Sequence, residues 1–194
     1  MLELSDCVLF IAADGAADHA DSFGLLPDAI LGDFDSLSDS TRAAFPAICF
    51  VSAPSQDAAD SEKAVQYATE HGVDQIVLLG ALGGRLDHTL ANLSLLVRYE
   101  PTVDITILEE WGGAAAVGPM RSRQFQLTLG DTISVLPIMN AAVVSLKGTK
   151  WPLSHERLEP GTRGVSNVAV SNPVEVAVED GVVLVVWSFA TYQP

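Results

Sequence analysis

Positive charge is scarce in this chain: 10 lysines and arginines face 25 aspartates and glutamates over 194 residues, a formal charge of −15 at pH 7. Such a surface repels a phosphate backbone and has no basic stripe to release counterions, so nucleic acid is not expected as a partner. Cysteine is nearly absent. Cys7 and Cys49 sit in apolar, strand-like runs without metal-site spacing and are expected to be reduced core residues. The four histidines, His19, His71, His88 and His155, are too scattered for a zinc site. No run of about 18 apolar residues occurs, so no membrane span is expected. The opening stretch MLELSDCVLFIAAD carries acids where an export signal carries positive charge, which favours a cytoplasmic location. A Gly-Lys-Ser/Thr phosphate loop is missing, which excludes a P-loop enzyme. Internal repeats and low-complexity tracts are absent as well.

What is present is a hydrophobic fraction of 48%, enough for one generous domain or two small ones. Up to about residue 110, short apolar runs (CVLFIAA, DAIL, AICFV, QIVLLGAL, DITIL) alternate with helical patterns, the signature of a mainly parallel sheet covered by helices. Ser61 to His71 repeats at helical spacing and stops at Gly72; a second helix follows His88 and closes at Pro101. From about Arg123 the helical period disappears, and QFQLTL, TISVLPI, VVSLKG, VEVAVED and VVLVVW read as strands of a β-sandwich or small barrel. Asp180-Gly181 supplies hairpin chemistry between the last two. The expected organisation is an α/β nucleotide-binding domain over 1–118 and an all-β, β-sandwich domain over 119–194. WGGAAAVGPMRSR, rich in small residues, reads as the linker.

Ligands of a parallel sheet bind beyond the carboxyl ends of its strands. In this chain those positions hold Asp14-Gly15, Gly32-Asp33-Phe34-Asp35-Ser36, Gln56-Asp57-Ala58-Ala59-Asp60 and Gly83-Gly84-Arg85-Leu86-Asp87. Four strand ends carry aspartate and are expected to meet along one edge. Gathered carboxylates repel unless a divalent cation neutralises them, and hard oxygen donors without histidine or cysteine favour magnesium. Gly83 and Gly84 admit close backbone approach to a phosphate, and Arg85 offers a forked cation. An extended backbone at Asp33 to Asp35 would point both carboxylates to one side. Taken singly, each motif has a plainer reading: Asp57 as a helix cap, Asp14-Gly15 and the Asp33/Asp35 pair as turns, Arg85 with Asp87 as a surface ion pair.

The ordered set resembles the thiamine pyrophosphokinase family. Ala13-Asp14-Gly15-Ala16, Pro27-Asp28-Ala29-Ile30-Leu31-Gly32-Asp33-Phe34-Asp35-Ser36, Gln56-Asp57-Ala58-Ala59-Asp60-Ser61-Glu62-Lys63 and Gly83-Gly84-Arg85-Leu86-Asp87 follow its motifs. Leu146 to Leu153, with Trp151, and Gly164 to Asn167 continue the similarity into the second half. The resemblance implies pyrophosphoryl transfer from ATP to the thiamine hydroxyl, releasing AMP, in a homodimer. It places magnesium at Asp33, Asp35 and Asp60, and the nucleotide at Asp14, Gly15, Gln56, Asp57, Gly83, Gly84 and Arg85. The catalytic set is Asp33, Asp35, Asp60, Arg85 and Asp87; either Asp60 or Asp87 is the candidate to accept the hydroxyl proton. Trp151 is implied to stack on thiamine, in its own or the partner's site, beside Ser166 and Asn167. Three departures stand out: Ala16 for a usual glycine, Asp18 for asparagine and Ala59 for threonine, the last removing a hydroxyl that caps a helix or bonds a phosphate. A pyrophosphokinase for another alcohol, such as a hydroxymethylpterin, and a non-catalytic nucleotide or thiamine sensor are the alternatives. Replacing Asp35→Asn is expected to abolish AMP formation and leave the fold intact; unchanged turnover would remove Asp35 from the metal site.

Overall fold

The computed structural model describes residues 7–34, 37–45, 50–53 and 57–191. The chain divides into two compact units, Met1–Val73 and Asp74–Pro194.

The first unit alternates β1 (Ile11–Ala13), α1 (Ala16–Ser22), β2 (Ala29–Gly32), α2 (Asp39–Ala44), β3 (Phe50–Ser52) and α3 (Asp60–Glu70). Its strands pair in parallel in the order β1-β2-β3, with Ile11 opposite Ala29 and Ile30 opposite Phe50. Every residue of β2 is buried, as expected of a central parallel strand covered on both faces. α3 packs on β1 and β2, buries Val65 and Ala68, and ends where Gly72 takes φ 79. Ala12, Ala17, Ala20, Ile30, Leu37 and Phe45 form the core, with Phe34 and Phe50 packed against it. Cys7, expected in a core, is exposed, because β1 starts only at Ile11. Cys49, Gln56, Asp35 and Ser36 lie outside the described residues.

The second unit begins with β4 (Gln75–Leu79), α4 (Leu86–Tyr99) and β5 (Asp104–Glu109), a parallel pair joined through a helix. Eight more strands follow: β6 (Gly112–Val117), β7 (Arg121–Phe125), β8 (Thr132–Pro137), β9 (Ala142–Lys147), β10 (Leu153–Leu158), β11 (Asn167–Val168), β12 (Val174–Asp180) and β13 (Val183–Ser188). With β4 and β5 they form a six-stranded sheet, β11-β8-β13-β6-β5-β4, and a four-stranded sheet, β10-β9-β12-β7. The two sheets enclose one core in which Val135, Val144, Leu146, Leu158, Val176 and Val185 are fully buried, a sandwich rather than a barrel.

Two local expectations are overturned. Residues 112–117, read as a linker, are strand β6, flanked by β5 and β13. All six are buried, and a side chain at Gly113 would run into the Trp187 indole, so smallness here reflects close packing on both faces rather than chain flexibility. Asp180-Gly181 makes a turn, with Gly181 at φ 79, but not a hairpin: β12 pairs with β7 and β9, while β13 pairs with β6 and β8 in the other sheet. Among the described residues no helix is long and apolar enough to cross a membrane.

Leu146 is 1% exposed between the two sheets. Leu146→Ala is expected to lower the unfolding free energy by about 2–5 kcal/mol in urea titration; a loss below about 1 kcal/mol would mean that the sandwich collapses into the gap.

Candidate active site

At the carboxyl end of β1 the chain turns sharply: Asp14 adopts φ 42, and its N–H donates to the Leu31 carbonyl of β2 at 2.7 Å. Aspartate tolerates this left-handed geometry better than most residues. Its side chain lies over Gly32, where an added Cβ would sit 2.9 Å from the Asp14 Cβ. Gly32 therefore leaves room for the Asp14 carboxylate, and the next residue, exposed Asp33, follows the end of the neighbouring strand. Gly15 is the N-cap of α1. Beyond β3, Asp60 opens α3, and its Oδ1 accepts from Lys63 Nζ at 2.9 Å; the lysine side chain is 10% exposed and the aspartate 37%.

The α3 N-cap is Ala59, with extended geometry and no side-chain cap, so Asp57 is not the capping residue and the hydroxyl lost at Ala59 is a real absence. Asp18 is tied back into the fold. The Thr41 hydroxyl, with that of Ser38 at 3.1 Å, holds its carboxyl below the usual aspartate range, linking α1 to the start of α2. Phe34 lies at φ 67, so the backbone is not extended after Asp33 and the same-side argument for Asp33 and Asp35 fails. Among the described residues, no three carboxylates, histidines or cysteines gather closely enough to hold a metal ion. Asp14 and Asp33, hard oxygen donors at adjacent strand ends, suit magnesium, which keeps several waters and phosphate oxygens for itself.

In the second unit the loop after β4 contains Gly80, Gly83 and Gly84 at φ 65, 96 and 63, values that only glycine reaches freely. Asn92 donates to the Ala81 carbonyl at 2.7 Å, and Leu82 N–H to Glu109 at 3.0 Å, fixing the loop. β4 belongs to the six-stranded sheet, so three of the four aspartate-bearing strand ends share one sheet and the fourth does not. Arg85 precedes α4 and grips Asp87 by two bonds, Nε to Oδ1 at 3.1 Å and Nη2 to Oδ2 at 2.6 Å. The side chains are 73% and 62% exposed. The Arg85 guanidinium holds the Asp87 carboxyl down at about 2.

Trp151 is 54% exposed, and its backbone is locked by buried Asn167. Asn167 Oδ1 accepts from Trp151 N–H at 3.1 Å and from Val168 N–H at 2.9 Å, while its Nδ2 donates to the Trp151 carbonyl at 2.6 Å. Ser166 is exposed at φ 60, with its N–H on Ser134 Oγ at 3.0 Å. Lys150 Nζ sits 4.7 Å from the Trp151 ring centroid. The sequence motifs include Lys63 and Lys150 but give neither a role, although the spacing of Lys63 from Asp60 on a helix signals the pair and Lys150 stands beside Trp151.

The chain matches two family models, "Thiamin pyrophosphokinase, catalytic domain" over residues 2–107 and "Thiamin pyrophosphokinase, vitamin B1 binding domain" over residues 122–183. These define a two-part vitamin kinase, with the aspartate-bearing strand ends in the catalytic part and Trp151 with Asn167 in the vitamin-binding part. The chain belongs to the thiamin pyrophosphokinase family and is an enzyme of that kind. It is 31% identical over 165 residues to Thiamin pyrophosphokinase 1 of Caenorhabditis elegans, covering 78% of this chain and 67% of the relative. The crystal structure of thiamine pyrophosphokinase from Bacillus subtilis superposes with a TM-score of 0.84 at 25% identity, covering 93% of this chain and 87% of that one. That of Candida albicans shares the fold, with a TM-score of 0.81 at 17% identity over 97% of this chain and 85% of that one.

The Arg85 pair carries a pH signature. Because the folded value lies below the ordinary 3.8, the interaction is complete above that value and is lost as pH falls through about 2. In Arg85→Ala the Asp87 carboxyl titration, followed by NMR, is expected to return towards 3.8; a midpoint still near 2 would assign the depression to another group.

Proposed function

We propose that this enzyme transfers the pyrophosphoryl group of ATP to the hydroxyl of thiamine, giving thiamine pyrophosphate and AMP. The observation that carries this reading is Asp14 at the end of β1, its side chain over Gly32, with Asp33 following the end of the adjacent parallel strand, both within the part matched as catalytic. Asp33, Asp35 and Asp60 would hold magnesium, which supplies charge neutralisation to the polyphosphate when bound. Asp14, Gly15, Gln56 and Asp57 take the nucleotide in the first unit. In the second, Gly83 and Gly84 offer backbone N–H groups to phosphate oxygens, and Arg85 offers its fork.

The thiamine hydroxyl oxygen forms a bond to the β-phosphorus as the bond from that phosphorus to the α,β-bridging oxygen breaks, and AMP leaves with the bridging oxygen. Little covalent chemistry falls to the protein; its work is to align the two oxygens and match the charge that spreads between them. Asp87 keeps the Arg85 fork oriented until a phosphate competes for it. The hydroxyl proton passes to a carboxylate, Asp60 or Asp87. While paired with Arg85, Asp87 is a weak base, so its accepting role begins only once the guanidinium turns to phosphate. Trp151 offers an indole face to the cationic thiazolium, an attraction of about 0.5–2 kcal/mol, with Ser166 and Asn167 beside it. The resemblance supports a homodimer acting in the cytoplasm.

The match to a vitamin B1 binding domain favours thiamine over a pterin alcohol. The test is to incubate the protein with ATP, magnesium chloride and thiamine and to resolve products by chromatography. Equal amounts of AMP and thiamine pyrophosphate are expected. ADP or inorganic phosphate in their place, or binding of both substrates without product, would overturn the reading.

A further inference from the structure

We propose that Arg42 is a positioning residue for the metal-binding carboxylate at Asp33, acting through the backbone of Phe34. The inference rests on the magnesium reading given above. Phe34 holds φ 67, a left-handed conformation that a bulky side chain adopts only under constraint from its surroundings. Those constraints are visible. Arg42 Nη2 donates to the Phe34 carbonyl at 2.9 Å, and the guanidinium carbon lies 5.9 Å from the Phe34 ring centroid. On its other contacts the ring meets Phe50 edge-on, with centroids 5.4 Å apart at 84°, and packs against the core of the first unit.

Arg42 is itself held in place by its helix. Ser38 caps α2 by accepting from Thr41 N–H at 3.2 Å, and the same hydroxyl donates to Asp18 at 3.1 Å. A continuous path of named bonds therefore runs from Asp18 on α1, through the cap of α2 and Arg42, to the peptide one residue after Asp33. Arg42 is exposed, so this bond to a carbonyl contributes little to global stability; water would serve that oxygen almost as well. What water does not do is fix the direction of the Phe34 peptide and, with it, the backbone that presents Asp33. Groups that orient a ligating carboxylate typically influence metal affinity or turnover by 10–100-fold.

The experiment compares wild type, Arg42→Ala and Arg42→Lys in the full chain. The readouts are AMP formation against magnesium concentration, KM for thiamine, Mn2+ binding by electron paramagnetic resonance, and the thermal midpoint. For Arg42→Ala the half-saturating magnesium and the Mn2+ dissociation constant are expected to rise by about tenfold or more, with KM for thiamine within about twofold. Arg42→Lys, which keeps a donor, should fall between, and added guanidinium should restore part of the loss in Arg42→Ala. Wild-type metal dependence in Arg42→Ala, or a loss that follows the thermal midpoint and ignores metal concentration, would overturn the proposal. Should the alanine variant fail to fold, the lysine variant decides on the same magnesium and Mn2+ curves. If wild type forms no thiamine pyrophosphate, the functional reading is what fails, and the Mn2+ titration still decides the role of Arg42.

Discussion

Aspartates follow the ends of neighbouring parallel strands in the first unit, and like charges so placed have to be kept apart or neutralised. Two such groups about 4 Å apart near a protein surface repel by about 4 kcal/mol, comparable with much of the net stability of a small domain. The chain has only 10 basic residues with which to respond. Lys63 stands on Asp60, Arg85 on Asp87, and Arg42 at the peptide that follows Asp33. Asp33 is exposed, and Asp60 and Asp87 keep 37% and 62% of their side chains exposed beside their cations, so water shares the screening with these few basic groups.

In the first unit the strand ends are also where the backbone departs from ordinary geometry, for Asp14 and Phe34, which flank them, both take positive φ. In the second unit, taken by itself, the loop after β4 does so at three glycines. Strain of this kind persists only where surroundings over-determine it. At Asp14 the surroundings are the Leu31 carbonyl and the bare Cα of Gly32; at Phe34 they are Arg42 and Phe50. Positive φ at non-glycine residues is not confined to these strand ends, since Met120, His155 and Ser166 share it, but among the described residues of the first unit only Asp14 and Phe34 take it.

Much of this was legible in the sequence, and the misses have physical reasons. Apolar runs and their periods located most strands and both long helices, because burial on one or two faces writes a period of 2 or 3.6 into the chain. The aspartates stood out because strand ends are where parallel sheets bind ligands. β6 was misread because Gly112 to Ala116 resemble flexible chain, whereas their smallness is imposed by the Trp187 ring and the neighbouring strands, a tertiary fact. The turn at Gly181 was read correctly as a turn and wrongly as a hairpin, since local chemistry cannot tell which sheet receives the next strand. Lys63 was visible at helical spacing. Arg42 was not: its partner is a carbonyl eight residues away, and nothing in the spacing reveals a left-handed Phe34.

The vitamin-binding half solves a different problem, how to fix the main chain beneath an indole that stands half in solvent. A half-exposed tryptophan on a free loop would lose rotational freedom on meeting a ligand, and that loss would weaken binding. Asn167 removes the main-chain part of it beforehand. Its buried amide uses one oxygen for two N–H groups and its nitrogen for the Trp151 carbonyl, so a side chain performs the pairing that a strand ladder would otherwise provide. A buried amide is costly unless its bonds are made, and here two of the three need the Trp151 main chain in place. Asn167 thus fixes the main chain that carries Trp151. A hydrophobic replacement of equal size would fill the space and leave the Trp151 N–H and carbonyl without these bonds.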